Sequence, residues 1–175
     1  MTQSSFDGNN PHEILAIVDA DDCELGGEAR HVVHSTGLLH RAVHVFVFGR
    51  DGRLLLQQRS ELKDTYPLHW ECVGGHLSPG ESYDSAASRE VEEELGVSPG
   101  ELIFLRKLTA CSETGQEFVQ VYRTVIEVEP HPNPDEVIAV HWFTLYELRN
   151  EIATQSRAFS PSLLHSLEQT GLLSE

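Results

Sequence analysis

The chain has 175 residues, of which 39% are hydrophobic, enough for one compact domain with a complete core but too few for two. Its 28 acidic residues outnumber its 12 basic residues and give a net charge of −16, so its surface would repel a polyanion and we expect no nucleic acid partner. Because the sequence shows neither an apolar run long enough to span a membrane nor a signal-peptide pattern, we expect a cytoplasmic protein without membrane association.

The start of the sequence predicts a flexible segment followed by a strand. Residues 1–12 are polar and are interpreted as a flexible lead-in, which leaves residues 13–175 as the single domain. Residues 13–19 are rich in aliphatic side chains and predict the first strand. The acidic, glycine-rich residues 21–28 predict a turn.

The middle of the sequence predicts a hairpin and then one strongly marked helix. Residues 41–48 are β-branched and aromatic, and a turn signal separates them from the aliphatic residues 53–59. A loop that carries Pro67 and Trp70 follows. Residues 82–95 then show helical periodicity, with a serine in the N-cap position and a glycine after the last helical residue.

The last third of the sequence predicts three strands and two helices. The strands are expected at residues 102–109, 117–127 and 137–144, separated by glycine and proline residues. The helices are expected at residues 145–154 and 161–170. This order of elements predicts an α/β protein, an α/β/α sandwich in which helices cover both faces of a mixed sheet.

The three cysteines, Cys23, Cys72 and Cys111, are an odd number and form no C-x-x-C pair. Neither a disulfide framework nor a cysteine zinc site is therefore indicated. We expect three buried thiols.

Three glutamates of the predicted helix, Glu90, Glu93 and Glu94, share one helix face because they stand at positions i, i+3 and i+4. In isolation this pattern is typical of a solvated acidic surface. Its surroundings favour a functional site, because Arg89 can pair with a neighbouring carboxylate and the pair Gly74–Gly75 can fold back over the helix start. A carboxylate cluster also attracts a divalent cation, which would allow this acidic protein to bind phosphate groups.

The 23 residues from Gly75 to Val97 resemble the Nudix box at each of its nine defined positions. The matching residues are Gly75, Glu81, Arg89, Glu90, Val91, Glu93, Glu94, Gly96 and Val97. The resemblance implies a Nudix fold and a hydrolase that cleaves a diphosphate linkage with Mg²⁺ or Mn²⁺. It also implies that Glu90, Glu93 and Glu94 hold the metal, often helped by the carbonyl group of Gly74.

The same resemblance implies roles for residues around the metal. Glu81 would brace the loop or hold a water ligand, and Arg89 would orient the carboxylates through an ion pair. The catalytic role is assigned to Glu93 in the helix and Glu117 outside it. Glu113 and Glu136 remain open as alternatives for the general base. The candidates for the general base can be distinguished only by their positions in the folded protein, which the sequence does not give.

Short stretches at residues 39–42, 75–76, 135–137 and 159–161, together with Arg59, Lys63, Pro67, Trp70 and Trp142, resemble type I isopentenyl-diphosphate isomerases and their hydrolase-like relatives, and the resemblance spans residues 13–164. This resemblance implies that Arg59 and Lys63 face a substrate diphosphate; two exposed loop cations are the alternative. The isomerases carry a catalytic cysteine at the position of Gly74, and glycine has no proton to give. Cys72 lies two residues earlier, about 7 Å away along an extended strand, so we expect no isomerase activity.

The isomerase resemblance implies a second metal site as well. His40, His76 and Glu117 match its ligand positions, whereas His34 is displaced by one residue and Gly115 replaces a second glutamate. The alternative is that each histidine is an ordinary hydrogen-bonded residue.

The sequence leaves three functions open. The first is a hydrolase acting on a small-molecule diphosphate such as a nucleoside or prenyl diphosphate. The others are a non-catalytic Nudix domain that binds a nucleotide or metabolite, and an isomerase. The intact set of mutually repelling glutamates favours the hydrolase, because a binding module has no need of it. Monomer and homodimer are both compatible with the sequence.

Overall fold

The structure is a computed structural model that describes residues 10–174. Within this range nine strands form one mixed sheet and four helices pack against it. The strands are β1 Ile14–Val18, β2 Glu24–Ala29, β3 His40–Gly49, β4 Leu54–Arg59, β5 Trp70–Glu71, β6 Val73–His76, β7 Ile103–Leu108, β8 Glu117–Ile126 and β9 Val137–Phe143. The helices are α1 Arg30–Thr36, α2 Tyr83–Leu95, α3 Leu145–Thr154 and α4 Pro161–Thr170.

Strand β3 is the centre of the sheet. Along its whole length it pairs in parallel with β8, with His40 opposite Glu117 and Gly49 opposite Ile126. Its other edge is shared by β1, β6 and β4, which pair antiparallel with successive parts of it. Strand β9 extends the sheet beyond β4, and β7 extends it beyond β8. The nearly continuous apolar sequence of β3 fits a strand whose two faces are both covered.

Alternate residues of β3 point into two hydrophobic cores on opposite faces of the sheet. Val43, Val45 and Val47 pack with the buried side of α2 in one core. Ala42 and Phe46 pack with α3 and α4 in the other core. Helices therefore cover both faces, and the prediction of an α/β/α sandwich around a mixed sheet is confirmed.

Helix α2 has the boundaries that its sequence predicts. The side chain of Ser82 caps the first turn by accepting a hydrogen bond from the backbone nitrogen of Ser85. The chain leaves the helix at Gly96, whose φ of 65° lies in the left-handed region that favours glycine. Val91 and Leu95 are fully buried against the sheet, which fixes the rotation of the helix and hence the direction of its glutamates.

The two C-terminal helices also begin and end where the sequence predicts. Helix α3 starts with a capping box formed by Thr144 and Glu147. Helix α4 starts with Ser160 as its cap and Pro161 as its first residue. These local signals are strong because each satisfies backbone groups that a helix end leaves unpaired.

The prediction of a turn over residues 21–28 is wrong, because β2 runs through this segment and pairs antiparallel with β1. Glycine and acidic residues are uncommon in strands, but an edge strand with one buried partner tolerates them. Gly27 is required there, since a Cβ atom would lie 2.6 Å from Ile14 Cγ2. Helix α1 follows directly and is absent from the prediction, because its seven residues bury a single apolar side chain, Val33.

The predicted loop around Pro67 and Trp70 contains two short strands, β5 and β6. Trp70 exchanges backbone hydrogen bonds with Ala158 and Ser160, which ties β5 to the start of α4. Strand β6 pairs with β3 and places Gly74 opposite His44. Strands of two and four residues are too short to give a periodic signal, so only the tertiary pairing defines them.

The expectation of three buried thiols holds for Cys72 alone, because Cys23 is exposed and Cys111 is partly exposed. Cys23 lies in the connection between β1 and β2, which runs over the surface. Most of the predicted flexible lead-in, residues 1–9, lies outside the described residues, so that interpretation stays a prediction. Between residues 10 and 174 no helix is both long and apolar enough to cross a membrane.

Candidate active site

A cavity of about 370 Å³ opens at one end of the sheet. Residues of β3, β6 and α2 line it, together with the β4–β5 connection, residues 112–117 and the start of α4. Most of its lining side chains are charged or polar, with Ala42, Tyr66 and Cys72 as the apolar ones, but the surface that they expose is divided almost evenly between polar and apolar atoms. The cavity can therefore hold a ligand that combines a charged group with an organic part.

The glutamates of α2 face this cavity rather than the solvent. Glu90 is 7% exposed and Glu94 is 2% exposed, so a solvated acidic surface does not describe them. Glu94 Oε2 accepts hydrogen bonds from Gln57 Nε2 at 2.7 Å and from the backbone nitrogen of Gly74 at 3.1 Å. A Cβ atom on Gly75 would lie 2.2 Å from Glu90 Oε1, so a larger residue there would displace this carboxylate. Glu90 therefore lies against the backbone of β6 at Gly75, and Glu94 is bonded to that backbone at Gly74.

Burial changes the ionisation of this cluster. Loss of solvent, together with the neighbouring charge of Glu93 and against the opposing charge of Arg89, raises the pKa of Glu90 from 4.5 to about 7. Burial also raises the pKa of Glu94 well above its ordinary value, helped by the nearby carboxylates of Glu90 and Glu71. Carboxylates in this condition are stabilised by any cation that comes between them.

Arg89 connects the helix to the loop that precedes it. Its Nη1 atom donates to Glu90 Oε1 at 2.7 Å and to Glu93 Oε2 at 3.0 Å, and its Nε atom donates to Glu81 Oε1 at 2.9 Å. Its Nη2 atom donates to the carbonyl oxygen of His76 at 3.0 Å. One guanidinium group therefore fixes two carboxylates of the cluster relative to β6 and to Glu81.

Arg59 and Lys63 are not exposed loop cations, which excludes that alternative. Arg59 Nη1 donates to both carboxylate oxygens of Glu71 at 2.8 Å, and Lys63 Nζ donates to Glu136 Oε2 at 2.9 Å. All four side chains are largely buried and line the cavity. The two cations therefore stand in a water-poor site where their charges act strongly on a ligand.

Three histidines meet beside the cavity, and His34 and His76 among them line it. Ligand atoms of His34, His40 and His76 all lie within 4.8 Å of one another. Glu117 joins them, with Oε1 3.0 Å from His76 Nε2 and 3.5 Å from His40 Nε2. Helix α1 carries His34 to this place, so its displacement by one residue in sequence does not remove it from the cluster.

The histidine cluster is partly neutralised by its own residues. Arg30 Nη1 lies 3.1 Å from His76 Nδ1, and because arginine can only donate, His76 carries its hydrogen on Nε2 and donates to Glu117. Burial lowers the pKa of His76 to about 4. Although burial opposes it, the adjacent side chains of His40 and His76 hold the pKa of Glu117 well below its usual range. Nε2 of His40 is buried, and although it lies 3.5 Å from Glu117 Oε1 it makes no well-aligned hydrogen bond among residues 10–174.

The three candidates for the general base all line the cavity, but they differ in their hydrogen-bonding partners and in their exposure. Glu117 is held by the histidines and Glu136 by Lys63, whereas Glu113 is exposed and accepts a hydrogen bond from Ser112 Oγ at 2.8 Å. The structure thus brings them to one site without ranking them.

His44 and Glu71 are among the cavity residues that have no counterpart in the sequence analysis. The sequence alone could have identified His44, because it is a polar residue in the middle of an apolar strand. Glu71 gives none, since its role as the partner of Arg59 depends on the pairing of β4 with β5.

Comparison with known proteins agrees with this architecture. The NUDIX domain family matches residues 38–163 of the chain. The isopentenyl-diphosphate Delta-isomerase of Nocardia farcinica is 39% identical over 138 residues, which cover 75% of this chain and 79% of that protein. An uncharacterized Nudix hydrolase of Nostoc sp. is 36% identical over 140 residues, which cover 78% of this chain and 83% of that protein.

Solved structures show the same fold. DR0079 from Deinococcus radiodurans has a TM-score of 0.77 and 26% identity, covering 90% of this chain and 99% of that one. The NUDIX domain of Shewanella oneidensis NrtR, solved in complex with ADP ribose, has a TM-score of 0.61 and 19% identity, covering 77% of this chain and 87% of that one. The domain match, the sequence relatives and the shared fold lead to one conclusion: this chain belongs to the Nudix family.

Proposed function

We propose that this chain hydrolyses a diphosphate linkage in a small polar molecule, with Mg²⁺ or Mn²⁺ as its cofactor. The observation that carries the proposal is the presence of opposite charges around one cavity, with Glu90, Glu93 and Glu94 on α2 and with Arg59 and Lys63 on the β4–β5 connection. A diphosphate needs both, because its oxygens are anionic and the glutamates alone would repel it.

The donor atoms on α2 suit a hard divalent cation, because they are carboxylate oxygens. We assign the metal to Glu90, Glu93 and Glu94, with the carbonyl oxygen of Gly74 as a further ligand. Burial raises the pKa of each of these three carboxyl groups, and a cation would offset both the loss of solvent and their mutual repulsion. When bound, such a cation supplies charge neutralisation at the phosphate oxygens and a more acidic water.

The remaining steps belong to the protein's own side chains. Arg59 and Lys63 are assigned to hold the diphosphate through charge-assisted hydrogen bonds, while Glu71 and Glu136 keep the two cations in place. Arg89 is assigned to orient Glu90 and Glu93. These contacts would place the scissile linkage beside the carboxylate cluster.

Proton transfer from the attacking water is assigned to Glu93 and Glu117. The side chain of Glu93 is 19% exposed, the most open of the three carboxylates on this helix face. Glu117 stays ionised because of its histidine partners, so it is ready to accept a hydrogen bond. Glu113 and Glu136 remain the alternatives, and single glutamine variants at each position would separate them.

We also propose the histidine cluster as a second metal site, with His40 and His76 as its main ligands and His34 and Glu117 beside them. Nitrogen ligands with one carboxylate suit Zn²⁺ or Mn²⁺ better than Mg²⁺. The buried, unpartnered Nε2 of His40 supports this assignment, since a polar atom in that condition is stabilised by a ligand.

Isopentenyl-diphosphate isomerisation is the second candidate, because several relatives carry that name. This chain has Gly74 where the resemblance to those enzymes places a catalytic cysteine. Cys72 also lines the cavity, but burial raises the pKa of its thiol well above the ordinary value, and the carboxylates of Glu71 and Glu94 raise it further. We therefore expect no isomerisation.

The test is a substrate panel that contains nucleoside diphosphates and triphosphates, dinucleotides, sugar nucleotides and prenyl diphosphates. Each is incubated with Mg²⁺ or Mn²⁺, and phosphate, monophosphate and dimethylallyl diphosphate are measured. We expect hydrolysis that stops when the divalent cation is removed. Binding without turnover would favour a non-catalytic Nudix domain, and dimethylallyl diphosphate formed from isopentenyl diphosphate at an enzyme-dependent rate would contradict the assignment.

A further inference from the structure

His44 occupies an unusual place in the wall of the cavity. It lies in the middle of β3, on the same face as Ala42 and Phe46, and it is 8% exposed. An imidazole among aliphatic and aromatic neighbours loses its contacts with water and needs compensating hydrogen bonds. None of the roles in diphosphate hydrolysis assigned above uses it.

The ring is held in place by a second buried polar group. His44 Nδ1 lies 2.7 Å from Ser166 Oγ. Ser166 is 0% exposed and lies on the face of α4 that also buries Leu163 and Leu167. Two polar residues from elements far apart in sequence thus replace apolar packing between β3 and α4. Such a pair is expected to contribute little to stability compared with apolar side chains of similar size, which favours a role in the cavity.

The orientation of His44 follows from the same bond. With Nδ1 directed to Ser166, the other ring nitrogen is free to serve the cavity that the ring lines. Within residues 10–174, Nδ1 is the ring atom of His44 that has a hydrogen-bonding partner. Ser160 and Ser162, at the start of the helix that carries Ser166, also line the cavity, with their hydroxyl groups 3.4 Å apart. This part of the wall is therefore a group of hydrogen-bonding side chains.

Gly74 separates His44 from the carboxylate cluster. The backbone nitrogen of Gly74 donates to Glu94 Oε2, while a Cβ atom on Gly74 would lie 2.9 Å from His44 Cδ2. The imidazole therefore lies where a side chain at position 74 would have to go. His44 and Glu94 therefore both border Gly74 and both line the cavity, so one substrate can contact both side chains.

We propose that His44, positioned by Ser166, is a specificity-determining residue that hydrogen-bonds a hydroxyl or carbonyl group on the organic part of the substrate. This inference rests on the proposed diphosphate hydrolysis and narrows it to polar substrates. A hydrocarbon chain in this position would leave the second ring nitrogen of His44 without a partner, and a site built to hydrogen-bond its substrate discriminates against analogues that lack the group.

The experiment compares ADP with isopentenyl diphosphate, because both end in the same terminal diphosphate and differ in the polarity of the rest. The ratio of kcat/KM for the two substrates is measured for the parent and for His44→Leu, His44→Gln and Ser166→Ala. Thr124→Val is the matched control, since Thr124 is buried on β8 outside the cavity and its hydroxyl has no partner within the described residues. Thermal melting verifies that each variant is folded.

We expect the parent to prefer ADP and His44→Leu to lose at least about tenfold of that preference, mainly through a higher KM for ADP. Ser166→Ala should lose about threefold, and His44→Gln should keep part of the preference because an amide still donates and accepts. Thr124→Val should leave the ratio unchanged. A folded His44→Leu variant with the parent's ratio, or a preference of the parent for isopentenyl diphosphate, would overturn the inference.

A binding measurement separates this inference from the proposed hydrolysis. Calorimetric titration with ADP and with isopentenyl diphosphate, in the presence of Ca²⁺, gives a dissociation constant for each compound. The ratio of these two constants replaces the ratio of kcat/KM. If the parent hydrolyses neither compound, the proposed hydrolysis fails for this pair, and the binding ratio still tests His44. An equal binding ratio in parent and His44→Leu contradicts its role, and a ratio that falls tenfold supports it.

Discussion

The carboxylate cluster on α2 and the histidine cluster at Glu117 share one cavity but differ in how their charges are balanced. Glu90 and Glu94 are buried together, with Arg89 as the cation bonded to Glu90 and with neutral donors on Glu94. At the histidine cluster, Glu117 lies between two imidazoles, and Arg30 supports one of them. The first cluster carries excess negative charge, whereas the second is close to neutral.

This difference in charge balance indicates which of the two clusters needs an added cation. Desolvation and repulsion both raise the pKa of carboxyl groups on α2, so the apo state of that cluster is under electrostatic stress that a divalent ion relieves. The hydrogen bonds of Glu117 already satisfy it without a metal. We therefore expect the cation at α2 to control hydrolysis, and the histidines beside Glu117 to affect it much less than Glu117 itself.

The largest effect is expected from removing single charges on α2. Glu93→Gln and Glu94→Gln should each lower kcat by about two orders of magnitude or more, because glutamine keeps the shape and helix propensity of glutamate but holds a cation poorly. The apo variants should melt at or above the temperature of the parent, since carboxylate repulsion is reduced. The measurement is kcat on the best substrate of the panel, with thermal melts in EDTA.

Glu92→Gln is the control for this prediction. Glu92 lies in the same helix but is exposed, about 100° around the helix from Glu93. Its variant should behave like the parent. If it is as damaging as the other two, the assignment of the helix face is wrong, and if none of the three matters, the cluster is not the catalytic centre.

A smaller effect is expected from moving a carboxylate without removing it. In Gly75→Ala the new methyl group would meet Glu90 Oε1 at 2.2 Å, so the carboxylate must shift away from β6. We expect kcat to fall about tenfold to a hundredfold, because small displacements of a metal-binding group are costly. Gly49→Ala is the matched strand variant outside the cavity. Equal activity of both variants would show that the close approach of Glu90 is not needed.

The two clusters should also give opposite dependences of stability on pH when divalent cations are removed. Between pH 4.5 and about 7 the unfolded chain ionises Glu90 while the folded state keeps it protonated, so its contribution to stability falls as pH rises. Between pH 4 and 6.5 the unfolded chain protonates His76 while the folded state keeps it neutral, so its contribution falls as pH decreases. Each is worth up to about 3 kcal/mol.

Chemical unfolding in EDTA at several pH values measures these contributions. Relative to the parent, Glu90→Gln should gain stability as pH rises towards 7, and His76→Gln should gain stability as pH falls towards 4. Adding Mg²⁺ should reduce the first difference and leave the second. The same sign of pH dependence for both variants would contradict the contrast between the clusters.

The smallest effect on hydrolysis is expected from the histidines. The purified protein should contain Zn²⁺ or Mn²⁺ that is lost in a His40→Ala, His76→Ala double variant, while the kcat measured with saturating Mg²⁺ changes by about threefold or less. Elemental analysis of both forms tests this. Equal metal content would leave these residues as hydrogen-bonded histidines, and a collapse of kcat would make them part of the catalytic centre.

The sequence predicts elements whose signals are local and misses those that depend on distant contacts. Helix α2 is predictable because Ser82 and Gly96 mark its ends and Val91 and Leu95 mark its buried side. Strand β2 and helix α1 are not, because the first is defined by its pairing with β1 and the second is too short to show a period. The sequence therefore identifies helix α2 and its reactive carboxylates, but it does not identify β2 and α1.

The same rule explains what could be said about the site. The nine positions of the Nudix box lie within one loop and helix, so their spacing fixes their geometry. His34 looks misplaced by one residue in a linear comparison, yet α1 returns it to His40 and His76. The burial of Arg59 and Lys63 depends on Glu71 and Glu136, which approach from other elements. Such partners, which come from other elements, can be identified only in the folded structure.

The parallel pairing of β3 with β8 has a consequence for how the protein folds. It places His40 opposite Glu117, and no short hairpin can connect these two strands. Contacts between segments so far apart in sequence form slowly, because a long loop must close, at a cost in chain entropy, before the contacts can stabilise the fold. During synthesis the ribosome must release β8 before this part of the cavity can exist. Glu117 is therefore expected to join the histidine cluster late, and its arrival would report that the topology of the sheet is correct.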